Sequence, residues 1–177
     1  PDGQNNQQLT TSSLPGVARA WWGVARSNLT LLAQYLDNQG RVATFRGAYN
    51  LTATTTAPTD LIGAMIPDVL SHAVAVSPAG DRFFSLSLTD RGVTGAITEI
   101  VSGKTKTVFS SPLKNWTVDW SSPAVIALTS RAAAGLPGTL YFLNPTDGEI
   151  TRILGGESGL TTLVNPAGSK VLYGREL

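Results

Sequence analysis

The sequence predicts an all-β chain, and three observations carry that prediction. Residues 73–88, AVAVSPAGDRFFSLSL, read as a strand, a tight turn and a second strand. The unit returns as WTVDWSSPAVIALTS at 116–130 and as LTTLVNPAGSKVLYG at 160–174, with turn prolines Pro78, Pro123 and Pro166 spaced by 45 and 43 residues. No helical periodicity lasts beyond two turns, and Ala132-Ala133-Ala134 lies too close to Gly135 and Pro137 to make a helix. A period near 44 residues with strand–turn–strand content is the signature of a β-propeller blade of four antiparallel strands.

In chain order, residues 1–11 read as the outer strand of a preceding or closing blade, and SSLPG at 12–16 as a connector. The first blade spans 17–65, with an inner strand at 17–22 (VARAWW), a second at 29–36 and a third at 41–49. Asp37-Asn38-Gln39-Gly40 makes the hairpin turn between the last two, because Asp, Asn and Gly tolerate positive φ. LTATTTAPTD at 51–60 reads as a loop insertion, and 61–65 as the outer strand. Residues 66–72 are expected to cross to the second blade, 73–109, with strands at 73–77, 82–88, 95–101 and 105–109. The third blade, 116–154, holds strands at 116–120, 124–129, 139–143 and 150–154, with NPTDG at 144–148 as a turn. The fourth, 160–177, is incomplete, with strands at 160–164 and 170–173 only.

The whole, 1–177, is thus one domain of about three full blades with partial blades at both ends. That falls short of the four blades of the smallest closed ring. Either the rest of the ring lies outside this sequence, or two chains complete each other, or the N-terminal strand closes onto the last two. A truncated or partnered propeller is expected, because open blade edges otherwise invite aggregation.

Composition narrows the function classes. Hydrophobic residues at 42% and charged residues at 14% exclude disorder. A net charge of +1 gives no electrostatic case for nucleic acid or anionic lipid. The absence of cysteine removes disulfides, thiolate catalysis and zinc–thiolate sites. No run approaches the ~18 apolar residues of a membrane span, so no membrane contact is expected within the chain.

His72 is the one histidine, and no G-x-S-x-G elbow accompanies it, so no catalytic residue is expected and the chain reads as non-enzymatic. Gly155-Gly156-Glu157-Ser158-Gly159 is no phosphate loop, because neither Lys-Ser/Thr nor a helix follows it. Neither a cofactor nor a metal is implied. The carboxylates fall mostly at turns, where Asp hydrogen-bonds its own backbone. Asp119 differs, since it lies in an inner strand facing away from Val118 and Trp120. It either lines a central channel or anchors a neighbouring blade.

The connectors between blades and the loops between second and third strands share one end of a propeller. Here that end carries Asp90, Arg91, Lys114, Asn115, Arg131 and Glu157. Their mixed signs suit a polar protein or peptide contact, and a solvated loop surface accounts for them equally well. Trp21, Trp22, Trp116 and Trp120 all fall in inner strands. Face-to-face blade packing needs such side chains, although a stacking platform for a sugar or peptide is the other use of them. Trp116, opening its strand beside Lys114-Asn115, is the strongest candidate for that use.

The S-P-x-G turn, the DG-type hairpin and the repeat spacing resemble the TolB-type and WD-repeat-like propellers of bacteria. Within that group, VFSSPLKNWTVDW, IALTSRAAAGLPGTLYFLN and ILGGESGLTTLVNPAGSKVLY resemble a propeller family of candidate-phylum bacteria known from metagenomes. The looser similarity runs back through Gln34-Tyr35-Leu36-Asp37 to about Val17. Ala79 and Ala167 stand where that family carries Asp, and Asn165 where it carries Ser, which weakens any claim that these turns bind metal. The resemblance implies an extracytoplasmic protein, membrane-anchored through a segment outside this sequence, and brings no activity with it. The expected role is a non-enzymatic scaffold for a protein partner or for self-association that completes the ring. The alternative is a carbohydrate- or peptide-binding module built on the inner-strand tryptophans.

Overall fold

The computed structural model describes residues 13, 15–25, 27–51, 62–66, 69–131 and 136–175, with the side chains of residues 62 and 69–72 left aside. The outer strand expected at 1–11 and nearly all of the insertion expected at 51–60 lie outside these residues.

The described residues form only strands and turns. The first sheet holds β1 (Val17–Ala25), β2 (Asn28–Leu36), β3 (Val42–Asn50) and β4 (Ile62–Ile66), hydrogen-bonded in chain order. The second holds β5 (Val69–Val76), β6 (Arg82–Thr89), β7 (Gly92–Glu99) and β8 (Thr105–Ser111). The third holds β9 (Trp116–Ser122), β10 (Val125–Ser130), β11 (Gly138–Leu143) and β12 (Ile150–Glu157). A two-stranded hairpin, β13 (Thr161–Val164) and β14 (Val171–Gly174), follows. Every pairing is antiparallel. Three four-stranded meanders and a half-blade, packed in series, make an all-β partial propeller.

The repeated turns explain why the hairpins recur. In 77–81, the Gly80 amide donates to the Ser77 carbonyl at 2.8 Å and the Ser77 hydroxyl to Asp81 at 2.7 Å. In 165–169, the Gly168 amide donates to the Asn165 carbonyl at 2.8 Å, and the Asn165 side chain accepts from the Ser169 amide at 2.9 Å. Both glycines sit at φ 69°, a left-handed conformation that other residues adopt at a cost.

The core lies in the seams between sheets. Neighbouring residues of a strand point to opposite faces, so Phe83 enters the first seam with Leu32 and Ile100 while Phe84 enters the second with Trp116 and Trp120. Both phenylalanines are fully buried. Ile126 and Ala127 divide in the same way between the second seam and the third, where Leu140, Leu160 and Val164 meet. Continuously apolar stretches are what strands covered on both faces require.

Several bounds differ from the sequence reading. Residues 69–72, expected in a connector, belong to β5, so the His72 backbone is in a strand. A register shift between Val69 and Val74 lets that strand bend and start early. β7 begins at Gly92 and ends at Glu99, because a turn closed by Gly103 N–H to Glu99 O at 2.9 Å takes up residues 100 and 101. β12 runs on to Glu157, which pairs with Gly138.

Candidate functional site

In a four-stranded meander the first and third turns lie at one end, and the second turn and the exit lie at the other. The two ends of this arc differ in how their polar groups are used.

The end carrying the first and third turns is tied across the seams. Thr30 Oγ1 donates to Gly80 O at 2.6 Å, Arg46 Nη1 to Ile100 O at 2.8 Å, and Lys106 Nζ to Thr146 O at 2.9 Å. A cleft of about 560 Å³ opens here, lined by Val24, Asn28, Asp81, Arg82, Glu99 and Ser102 among others. Asp81 lies 3.5 Å from Arg82, and Glu99 accepts from Ser102 at 2.6 Å.

The opposite end gathers the expected site residues. Asp90 and Arg91 form the β6–β7 turn and are exposed. Gly92 follows them, packed so closely on Ser111 and Pro112 that a Cβ would collide with that backbone. Lys114 and Asn115 are exposed in the connector from β8 to β9, and the Asn115 carbonyl accepts from the Arg131 amide at 3.0 Å. Arg131 is exposed at the end of β10. Gly138 packs against the Glu157 and Ser130 carbonyls and Leu160, which brings Glu157 to the same end. The structure thus joins the turn, the connector and the β10 exit into one surface. Among the described residues, the side chains of Asp90, Arg91, Lys114 and Arg131 make no hydrogen bond or ion pair. Glu157 is held by Arg175 at 3.2 Å.

Two charged residues extend this end into the first sheet, where the sequence reading saw only a turn. Asp37 and Arg41 flank the β2–β3 turn, 2.9 Å apart. The Arg41 amide donates to the Asp37 carboxylate at 2.9 Å and the Gln39 amide at 2.8 Å. These bonds, the Arg41 amide first, hold the Asp37 carboxyl below its ordinary value.

Trp116 is not part of this surface, against the expectation that its ring would offer a stacking face. It is 3% exposed, edge-on to Phe109 with centroids 5.2 Å apart, and its Nε1 donates to Leu113 O at 2.8 Å. The seam between the second and third sheets needs a large apolar side chain there, and packing takes the ring. Trp120 is also 3% exposed, with the Arg82 guanidinium 5.5 Å from its centroid.

Asp119 lies opposite Ala127, on the face of β9 that looks toward the hairpin. Its Oδ1 accepts from Ser121 Oγ at 2.5 Å, while Oδ2 is buried with no hydrogen bond among the described residues. The same residues contain no cluster of His, Cys, Asp and Glu close enough to hold a metal. Nor do they contain a helix long and apolar enough to cross a membrane.

No protein-family model and no curated protein sequence matches this chain. Solved structures do. An acylaminoacyl peptidase in complex with Z-Gly-Gly-Phe-chloromethyl ketone aligns with TM-score 0.60 and 9% identity over 89% of this chain and 27% of its own. The β-propeller domain of the trilobed protease from Pyrococcus furiosus, described as having an open velcro topology, aligns with TM-score 0.55 and 9% identity over 84% of this chain and 45% of its own. TolB from Acinetobacter baumannii aligns with TM-score 0.57 and 13% identity over 81% of this chain and 34% of its own. The chain therefore spans less than half the length of each, and the likeness shows a TolB-type, propeller-like fold. The first match also corrects the expectation that the chain is not an enzyme. A peptidase contains a stretch of this fold, so a propeller arc gives no ground for excluding activity.

Proposed function

We propose that this propeller arc is a scaffold that binds a protein partner through the connector end, on the extracytoplasmic side of a membrane. One observation carries the binding surface. Asp90, Arg91, Lys114 and Arg131 are charged, exposed and unpaired among the described residues, and all lie in the turn, the connector and the β10 exit of one end. At the opposite end Arg46 and Lys106 are spent on ties within the chain, while Lys104, Glu149 and Lys170 are exposed and unpaired among the described residues. Fixed charges of both signs favour a partner with a complementary polar surface, and they set register and association rate more than bulk affinity. The extracytoplasmic setting rests on the family resemblance.

The test is retention from an envelope extract, followed by titration of the purified partner. An Arg91→Ala/Lys114→Ala/Arg131→Ala variant is expected to weaken the retained partner by about tenfold, the order set by one to two kcal/mol of contact energy. Asp147→Ala/Lys170→Ala, at the other end, is expected to leave binding unchanged. A partner indifferent to the triple variant, or the absence of any retained protein, overturns the proposal.

A further inference from the structure

The charges of the connector end do not balance once the paired ones are set aside. Asp37 is engaged by Arg41 at 2.9 Å and Glu157 by Arg175 at 3.2 Å. Arg91, Lys114 and Arg131 have no such partner among the described residues. Asp90 is the one carboxylate in the turn, the connector and the β10 exit that carry them, and it too is unpaired among those residues. Three free cations thus stand against one free anion, in a chain whose net charge is only +1.

Backbone contacts fix where these cations stand. Gly92, the residue after Arg91, packs on the backbone of Ser111 and Pro112. From there the connector is tied step by step. The Leu113 amide donates to Ser111 Oγ at 3.1 Å, Trp116 Nε1 to the Leu113 carbonyl at 2.8 Å, and the Arg131 amide to the Asn115 carbonyl at 3.0 Å. Lys114 lies between the last two of these ties, so its backbone is gathered with those of Arg91 and Arg131. Leu88 near the end of β6 and Leu113 in the connector lie at the same end and are 53% and 40% exposed.

We infer that the partner segment taken at this end is acidic, a stretch of protein carrying several Asp or Glu side chains with apolar side chains among them. The inference rests on the connector end being the docking surface. Unpaired cations gathered on one surface speed the approach of a negative partner and reject a basic one. Apolar side chains in the segment cover Leu88 and Leu113, as the drier centre of an interface requires. A phosphate backbone would answer the cations but would leave both leucines without an apolar partner and would set phosphates against Asp90. A protein segment is the better complement.

Fluorescence anisotropy of the whole chain with a labelled peptide, EELEELEE, reads the charge preference, with QQLQQLQQ as its neutral counterpart. The acidic peptide is expected to bind about tenfold more tightly than the neutral one at low ionic strength, and to be released as salt is added. Arg91→Glu/Arg131→Glu is expected to weaken it by about tenfold, while Lys104→Glu/Lys170→Glu at the opposite end leaves it unchanged. Asp90→Asn is expected to strengthen it, because the one opposing charge is gone. Circular dichroism checks each fold, and Lys114→Glu replaces the Arg91/Arg131 variant if that one fails to fold. Equal binding of the two peptides, binding of neither, or weaker binding by Asp90→Asn overturns the inference. So does a duplex DNA that binds as tightly as EELEELEE and depends equally on Arg91 and Arg131. An envelope partner that Arg91→Ala/Lys114→Ala/Arg131→Ala loses but that EELEELEE does not displace overturns the acidic preference alone and leaves the docking surface standing.

Discussion

The Thr30 hydroxyl reaches the Gly80 carbonyl at 2.6 Å, across the seam between the first and second blades. The bond exists because the backbones of Gly23 and Gly80 touch there, leaving no room for a Cβ on either. A residue near the end of β1 and one in the turn after β5 thus set how closely two sheets approach.

Gly23→Ala is expected to force that seam apart and cost about 2–3 kcal/mol, the range for overpacking against backbone that cannot yield. Thr30→Val keeps the shape but strands the Gly80 carbonyl, for about 1–2 kcal/mol. Urea unfolding midpoints at constant slope measure both, and a Gly23→Ala protein as stable as wild type would show that the sheets are free to slide.

Arg46 fastens the same seam at its outer side, donating to the Ile100 carbonyl at 2.8 Å and to the Val101 carbonyl at 3.3 Å. Arg46→Met retains most of the packing stem and loses both bonds, for an expected loss of about 1–2 kcal/mol. Gly103→Ala is expected to cost a similar amount, because a Cβ at its positive φ of 73° would collide with the guanidinium. Combining the two should cost less than their sum, since each disturbs the same contact, and a double-mutant cycle reads that coupling.

The tryptophans divide by surroundings rather than by strand type. Acrylamide is expected to quench a component of the fluorescence that disappears in Trp22→Phe and persists in Trp116→Phe, because their exposures are 61% and 3%. Trp116→Ala is expected to cost about 3–5 kcal/mol.

Asp37 supplies a pH dependence whose sign follows from its surroundings. Its carboxyl is depressed in the folded chain, chiefly by the Arg41 amide. Its contribution is therefore fully present above the ordinary carboxylate value and fades as the pH falls through the lower folded value. NMR titration of the Asp37 side chain is expected to show a midpoint below that of an unfolded control. Asp37→Asn should flatten the acid side of the stability profile, and an unshifted midpoint would show that the turn is not held by these bonds in solution.

Much of the architecture was readable from the chain because it depends on short-range chemistry. The turns at 77–81 and 165–169 recur with the same glycine geometry, Gly80 and Gly168 each at φ 69°, and the hairpins around them follow from local hydrogen bonds. The continuously apolar run at 124–128 already implies a strand buried on both faces, and Ile126, Ala127 and Leu128 are buried. The early start of β5 was not readable, since Val69 joins the sheet only through a shifted register with Ser87. The connector end was half legible. Its residues followed from blade topology, but the join between Arg131 and the Asn115 carbonyl depends on loops packed far apart in sequence.

The sequence by itself determined that this is a chain of antiparallel blades and where its hairpins turn, since residue type and spacing act over a few residues. Only the tertiary structure decided which side chains those blades conceal. Trp22 and Trp116 are the same residue in equivalent inner strands, yet one is 61% exposed and the other 3%. What separates them is whether a second sheet lies against that face, and burial of apolar surface is a property of the packed pair, not of either strand alone.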